Sequence, residues 1–296
     1  MAQQTLGDIF SGYAQQAGAI FSNRNILSHD HIPEQAVHRD EQMKQLATIL
    51  APAIQGGRPS NTFLYGKTGT GKTLVARQVT KELARTSDRI TVLYMNCKMR
   101  RVADTEYRLF AELSRELGKT VPATGLPTDA VYKIFYEAVD SRPQNLILVL
   151  DEIDALVKKV GDEILYNLTR VNPELKQAKI SIVGISNDVS FIDALDPRVK
   201  SSLSEEEIIF PPYNATQLKD ILSNRSTRAF RGGALEAGVI EKCAALAAQE
   251  HGDARKALDL LRVAGEMAER KKALNVTTSF VDIAEDKLDL DRTTEV

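Results

Sequence analysis

The 296-residue chain has no tryptophan, two cysteines and aromatic side chains at only 6% of its positions. Cys97 and Cys243 stand far apart with no metal-type partner spacing. A disulfide scaffold and a cysteine-held metal are thereby excluded, and two buried reduced thiols are expected. No apolar run approaches the ~18 residues of a membrane span. The opening stretch MAQQTLGDIFSGYAQQ carries an acid and no basic residue ahead of a long apolar core, so it does not read as a secretory signal. A cytoplasmic location is the expectation. Charge of one sign is also lacking: Lys and Arg number 38 against 40 Asp and Glu, a net charge of −2. Coating nucleic acid by bulk charge is excluded, and any such binding needs a local basic patch. With 17 Gly and 10 Pro the chain is neither collagen-like nor disordered.

What is present is about twice the ~150 residues of a typical domain, so two domains are expected. Residues 1–60 read as an N-terminal helical segment, with Leu6, Ile9, Phe10 and Tyr13 at helical spacing and Asn23, Pro33 and the GGRPSN stretch as punctuation. The period then changes. Short apolar strands are predicted at Thr62 to Tyr65, Ile90 to Cys97, Leu146 to Asp151 and Ile180 to Ser186. Amphipathic helices are predicted between them at Lys72 to Arg85, Asp104 to Leu117, Asp129 to Val139 and Ala155 to Val171. Fully apolar strands alternating with such helices imply a parallel sheet covered on both faces, an α/β three-layer sandwich over residues 61–211. After EEEIIFPPYN, Glu205 to Asn214, the strand signal stops, with a domain boundary near Pro211-Pro212. Ala215 to Phe230, Leu235 to His251 and Asp253 to Ala273 read as helices, giving a small all-helical domain over 212–280. The stretch from Asp282 to Val296 holds six acids and two bases. It reads as an acidic linker over 281–296 or as the first helix of something further on.

One motif carries chemistry directly. Gly66, Gly69, Thr70, Gly71, Lys72 and Thr73 fall in GKTGTGKT, which fits the phosphate-loop pattern G-x-x-x-x-G-K-[ST] between a strand and a helix. The glycines let backbone N–H groups wrap phosphates at a helix N-terminus, Lys72 supplies a point charge at the β- and γ-phosphates, and Thr73 supplies a hydroxyl for magnesium. The run Leu146 to Glu152 ends a strand on two carboxylates. Asp151 is suited to hold Mg2+ through water and Glu152 to polarise an attacking water, an acid that a hydrolase needs and a small-molecule kinase does not. Asn187 ends the fourth strand, at the sheet edge where ligands bind in open α/β folds, and is placed to hydrogen-bond a γ-phosphate or the lytic water.

With these pieces in order the chain resembles the AAA+ ATPases, whose Walker A, Walker B and sensor 1 positions are matched by Gly66 to Thr73, Asp151-Glu152 and Asn187. The helical part then resembles the family lid. The resemblance implies that Arg198, in LDPRVKSSL, is an arginine finger reaching ATP on an adjacent subunit, and that Arg255, in GDARKALD, is the lid's sensor 2. A guanidinium is always charged and grips phosphate through a fork, which suits both roles. Asp253 is placed to cap the helix that carries Arg255. The spellings LDPRVKSSL, EEIIFPPYNATQLKDILSNR and HGDARKALDLLR narrow the likeness to archaeal replication initiators of the origin-recognition-complex type. The N-terminal stretch with Ile32-Pro33-Glu34 and His38-Arg39-Asp40-Glu41-Gln42 agrees, departing at Val37 where proline is expected.

This narrower resemblance implies a slow, switch-like ATPase that uses ATP/ADP and Mg2+. It implies adenine recognition by Ile32, Pro33, Tyr213 and Arg225, a ring to stack and an arginine to cover a base. The implied partners are origin double-stranded DNA, other initiator subunits and the replicative helicase, with no membrane and a nucleoid-associated location. DNA contacts are expected in Lys119 to Asp129 and the helix Ala130 to Val139, with a second basic cluster at Lys98, Arg100 and Arg101. The family also carries a winged-helix domain after the lid, and the chain reaches Val296 before one. A subunit of clamp-loader type is the competing reading, to be separated by a collar domain in place of the winged helix. A phosphotransferase acting on a small molecule is disfavoured by Glu152 and the lid.

Overall fold

The computed structural model describes residues 20–294 except 30, 99–103, 123 and 204–205, with the side chains of 291–294 also outside the description. The helical reading at Leu6 to Tyr13 therefore lies outside the described residues. The chain divides into two compact units: Arg39–Pro211, and Met1–His38 together with Pro212–Val296.

The first unit is built on a five-stranded sheet, β1 Thr62–Tyr65, β2 Ile90–Asn96, β3 Asn145–Asp151, β4 Lys179–Ser186 and β5 Glu206–Ile209, in the order β2-β3-β4-β1-β5. Every neighbouring pair is parallel. All seven residues of β3 are buried, as a central strand covered on both faces requires. The fifth strand was not expected. It is a short edge strand of which only Ile208 is buried, so it lacks the apolar run that marks the other four.

The helices of this unit are α1 Asp40–Leu50, α2 Lys72–Thr86, α3 Glu106–Glu116, α4 Thr128–Val139, α5 Ile153–Val160, α6 Glu163–Arg170 and α7 Pro197–Leu203. Where one helix was predicted over Ala155 to Val171 there are two. Gly161, at φ 95°, ends α5 in a conformation that only glycine adopts cheaply, and the chain restarts at Glu163. The core joins Phe63, Leu148, Ile182, Phe110, Phe135 and Leu165.

The second unit comprises α8 Ala215–Ala229, α9 Val239–Glu250, α10 Ala254–Arg270 and α11 Thr278–Thr294, with the N-terminal residues from Ile20 packed among them. Phe21 pairs with Phe230, ring centroids 4.7 Å apart, and the amides of Ser22 and Asn23 donate to the Ala229 carbonyl. Gly265 explains how the segment approaches α10: a Cβ there would meet the Phe21 ring at 2.4 Å. Asn214 and Gln217 form a reciprocal capping box that starts α8.

Two expected boundaries fall elsewhere. Residues 1–60 are not one segment, because the chain changes unit between His38 and Arg39. Residue 280 lies inside α11, where Phe280, Val281 and Ala284 are buried at helical spacing among the lid residues; the acidic count hid this apolar face.

Candidate nucleotide-binding site

The phosphate loop runs from the end of β1 to the start of α2. Gly66 is required by crowding, since a Cβ would lie 2.4 Å from the Phe210 carbonyl. Gly71 caps α2 in the left-handed region at φ 92°, turning the loop into the helix. Thr70 closes the loop with a hydroxyl bond to the Lys67 carbonyl of 2.8 Å.

Lys72 is 5% exposed, and its Nζ donates to the carbonyls of Gly66 and Lys67, both at 2.7 Å, and to Asn187 Oδ1 at 2.9 Å. The other end of the same amide, Asn187 Nδ2, donates to Glu152 Oε2 at 3.0 Å. Chemistry fixes this amide's orientation, because an ammonium only donates and a carboxylate only accepts. Asn187 thereby links the loop lysine to Glu152. Glu152 itself has φ 60°, the left-handed region that costs a non-glycine residue about 1–2 kcal/mol. That turn lets β3 end and α5 begin at once, and the strain is of the kind held at functional sites.

Thr73 Oγ1 donates to Asp151 Oδ2 at 3.0 Å. Two hard oxygen donors side by side, beneath a loop whose first glycine admits no side chain, suit a magnesium ion carried with phosphates. Among the described residues no group of three His, Cys, Asp or Glu could hold a metal by itself.

Sequence reasoning missed three residues here. The Tyr94 hydroxyl donates to Asp151 Oδ2, and the Arg77 guanidinium lies 3.9 Å over the Tyr94 ring. Burial raises the Tyr94 phenol well above its usual pKa, and the Asp151 charge adds to this, so Tyr94 is a steady donor. The available signal was a tyrosine two residues from the end of β2, the strand paired with β3. The third is Arg39, whose Nε donates to the Thr70 carbonyl at 2.8 Å.

The other predicted residues make contacts of their own. Arg198 lies in the first turn of α7 with its side chain 83% exposed and its guanidinium on Asp196, which holds it above its ordinary pKa. In the lid unit, Tyr213 is 5% exposed within the core, and Ile32 is 53% exposed beside the half-buried Pro33. Arg225 is buried, donating to the carbonyls of Ile26 at 2.8 Å and His31 at 3.4 Å. Burial and then Arg228 lower its pKa. Arg255 is exposed in the first turn of α10, and Asp253 caps that turn by accepting from the amides of Arg255 and Lys256. Cys97 and Cys243 are buried free thiols, each pushed up to about 12 by desolvation.

Of the residues expected to touch DNA, Arg100 and Arg101 lie outside the described ones. Lys98 is exposed after β2. The loop after α3 is tied back by Arg115 to the Val121 carbonyl and by Tyr107 to the Pro122 carbonyl. Phe110 and Tyr132, 4.0 Å between ring centroids, hold α4 on α3. Among the described residues no helix is long and apolar enough to cross a membrane.

Known proteins share both units. Residues 55–188 match the AAA domain family, and residues 219–286 match the Cdc6 AAA+ ATPase-type lid domain. The ORC1-type DNA replication protein of Pyrococcus abyssi is 53% identical over 289 residues, covering 95% of this chain and 68% of the relative. The chain belongs to the ORC1-type DNA replication proteins. The ORC1-type protein of Thermococcus onnurineus, 51% identical, spans 100% of this chain and 72% of its own length. The structure of the Aeropyrum pernix ORC1 protein in complex with DNA superposes with a TM-score of 0.83 at 44% identity, over 94% of this chain and 72% of that one. Thermotoga maritima RuvB, a Holliday junction branch migration motor, shares the fold alone, at a TM-score of 0.56 and 18% identity. In this ORC1-type chain the sheet unit is thus an AAA domain, an ATP-binding and ATP-hydrolysing module, and Lys72, Thr73, Asp151, Glu152 and Asn187 form its polar cluster.

Proposed function

We propose that the chain is an ATP-dependent replication initiator that binds origin double-stranded DNA, joins other initiator subunits and recruits the replicative helicase. The continuous link from Lys72 through Asn187 to Glu152 is the observation that supports ATP hydrolysis most strongly. Lys72 and the loop amides bind the phosphates of ATP. Glu152 takes a proton from water as its oxygen attacks the γ-phosphorus, and the bond to the β-γ bridging oxygen breaks to release ADP and phosphate. Thr73 and Asp151 would hold magnesium, which neutralises charge on the phosphate oxygens. Tyr94 keeps Asp151 in place. Hydrolysis is slow, as suits a switch.

Arg198 acts on ATP held by a neighbouring subunit, and Arg255 acts on the γ-phosphate from the lid of its own chain. Ile32, Pro33 and Tyr213 form the adenine side. Arg225 serves that side by holding the carbonyls of Ile26 and His31, one residue from Ile32, rather than by covering the base. The family membership and the DNA-bound relative from Aeropyrum pernix favour this reading over a clamp loader.

Footprinting on candidate origin DNA with ATP or ADP, at two salt concentrations, tests the proposal. The expected protection differs between nucleotides and weakens as salt rises, because phosphate contacts release counterions. Protection that ignores the nucleotide would refute the switch.

A further inference from the structure

Arg39 is among the largest fully buried side chains of the protein, 2% exposed, and its contacts are at an unusual place in the chain. The chain passes between its two compact units at His38 to Arg39 and again at Pro211 to Pro212. Arg39 is the first residue of the sheet unit and Pro211 the last. The Nη2 of Arg39 donates to the Pro211 carbonyl at 2.6 Å, while its Nε donates to the phosphate-loop carbonyl of Thr70 at 2.8 Å. The guanidinium also lies 5.9 Å over the Phe210 ring. A second contact joins the same parts: the Phe210 carbonyl occupies the space that a Cβ on Gly66 would need, and the Phe210 amide donates to the Tyr65 carbonyl at 2.7 Å.

We propose that Arg39 is a positioning residue that ties the phosphate loop to both points at which the chain crosses between its units, so that nucleotide in the loop is felt at the crossings. The inference rests on the ATP-binding reading of the loop. A buried guanidinium is expensive unless its N–H groups are satisfied. Here two of its nitrogens are spent on main-chain carbonyls, which fixes the course of the backbone. Only arginine presents two N–H groups in a rigid planar fork while its flat face lies on an aromatic ring. The donation to Thr70 fixes that carbonyl within the phosphate loop. Movement of the loop on binding nucleotide must therefore either break this bond or pull on Arg39, and with it on Pro211.

Arg39→Lys keeps the charge and the apolar stem but cannot reach both carbonyls. Hydrogen exchange of the whole protein with and without ATP reads three windows: 66–73, 36–42 and 208–214. In the unaltered protein ATP slows exchange in all three. In Arg39→Lys the loop window still responds, with ATP affinity reduced by no more than about tenfold, while the two crossing windows lose their response. Phe210→Leu, which removes the ring and leaves both hydrogen bonds, is expected to weaken the crossing response partially, and it serves if Arg39→Lys unfolds. Crossing windows that respond in the variants as they do in the unaltered protein would overturn the proposal. So would crossings in the unaltered protein that ignore ATP. A pair of dyes, one on each unit, separates the underlying reading: crossings that respond while the dye distance does not would sink the switch and leave the tie standing.

Discussion

Lys72 and Glu152 hold opposite ends of one hydrogen-bonded chain through Asn187, yet they do different work, and their variants should separate it. Lys72→Ala removes the buried cation at the phosphates, and ATP affinity should fall by ~100-fold or more, since charge-assisted contacts to phosphate are among the strong ones. Glu152→Gln keeps the shape and leaves binding within about threefold while hydrolysis falls by ~100-fold or more. Equilibrium binding of a fluorescent ATP analogue together with phosphate release measures both; normal affinity in the lysine variant would sink the site. The cluster that these two residues form with Thr73, Asp151 and Asn187 was legible because it follows from local spacing at strand ends. Tyr94 and Arg39 were not. Their partners lie 57 and 31 positions away, and only the pairing of β2 with β3 and the path of the chain beside the loop bring them together.

Elements were legible in proportion to how fully they are buried. β1 to β4 are apolar runs and were found within a residue of their ends, while β5 buries one residue and left no run to find. The break at Gly161 was hidden because the apolar positions of α5 and α6 keep a common period across it. Glycines in the lid unit give a sharper test of element packing. Gly252 and Gly233 both have positive φ, 65° and 80°. A Cβ on Gly252 would lie 2.4 Å from the Tyr213 carbonyl and 2.7 Å from Pro212 Cβ, whereas one on Gly233 meets nothing within 4 Å. Gly233→Ala should cost only the left-handed backbone, about 1 kcal/mol. Gly252→Ala adds backbone crowding where α9 ends and α10 begins, and should cost about 3 kcal/mol or more. Urea unfolding of the two variants checks the difference; equal losses would mean that the Tyr213 backbone yields freely.

At the scale of the whole molecule, a net charge of −2 means that the proposed DNA binding needs local surfaces rather than bulk attraction, and the proposed initiator ties ATP hydrolysis to assembly. Arg198 is the residue on which that view turns. It is exposed and paired with a neighbouring acid in its own chain, an arrangement that contributes little to stability. Arg198→Ala should therefore be silent in the isolated chain: unchanged thermal unfolding, unchanged ATP affinity and unchanged basal hydrolysis. The loss should emerge only when subunits meet on DNA, where an arginine supplied to a neighbour's ATP accelerates hydrolysis by ~1,000-fold or more in related chemistry. Arg198→Lys should fail to restore it, because an ammonium offers a point charge without the fork. Mixing the variant with a Glu152→Gln chain gives the decisive measurement. If Arg198 acts in trans, the mixture regains stimulated hydrolysis, since each Glu152→Gln subunit lends its arginine to a neighbour whose own Glu152 is intact. If it acts in cis, no mixture recovers, and basal hydrolysis of Arg198→Ala alone will already be low.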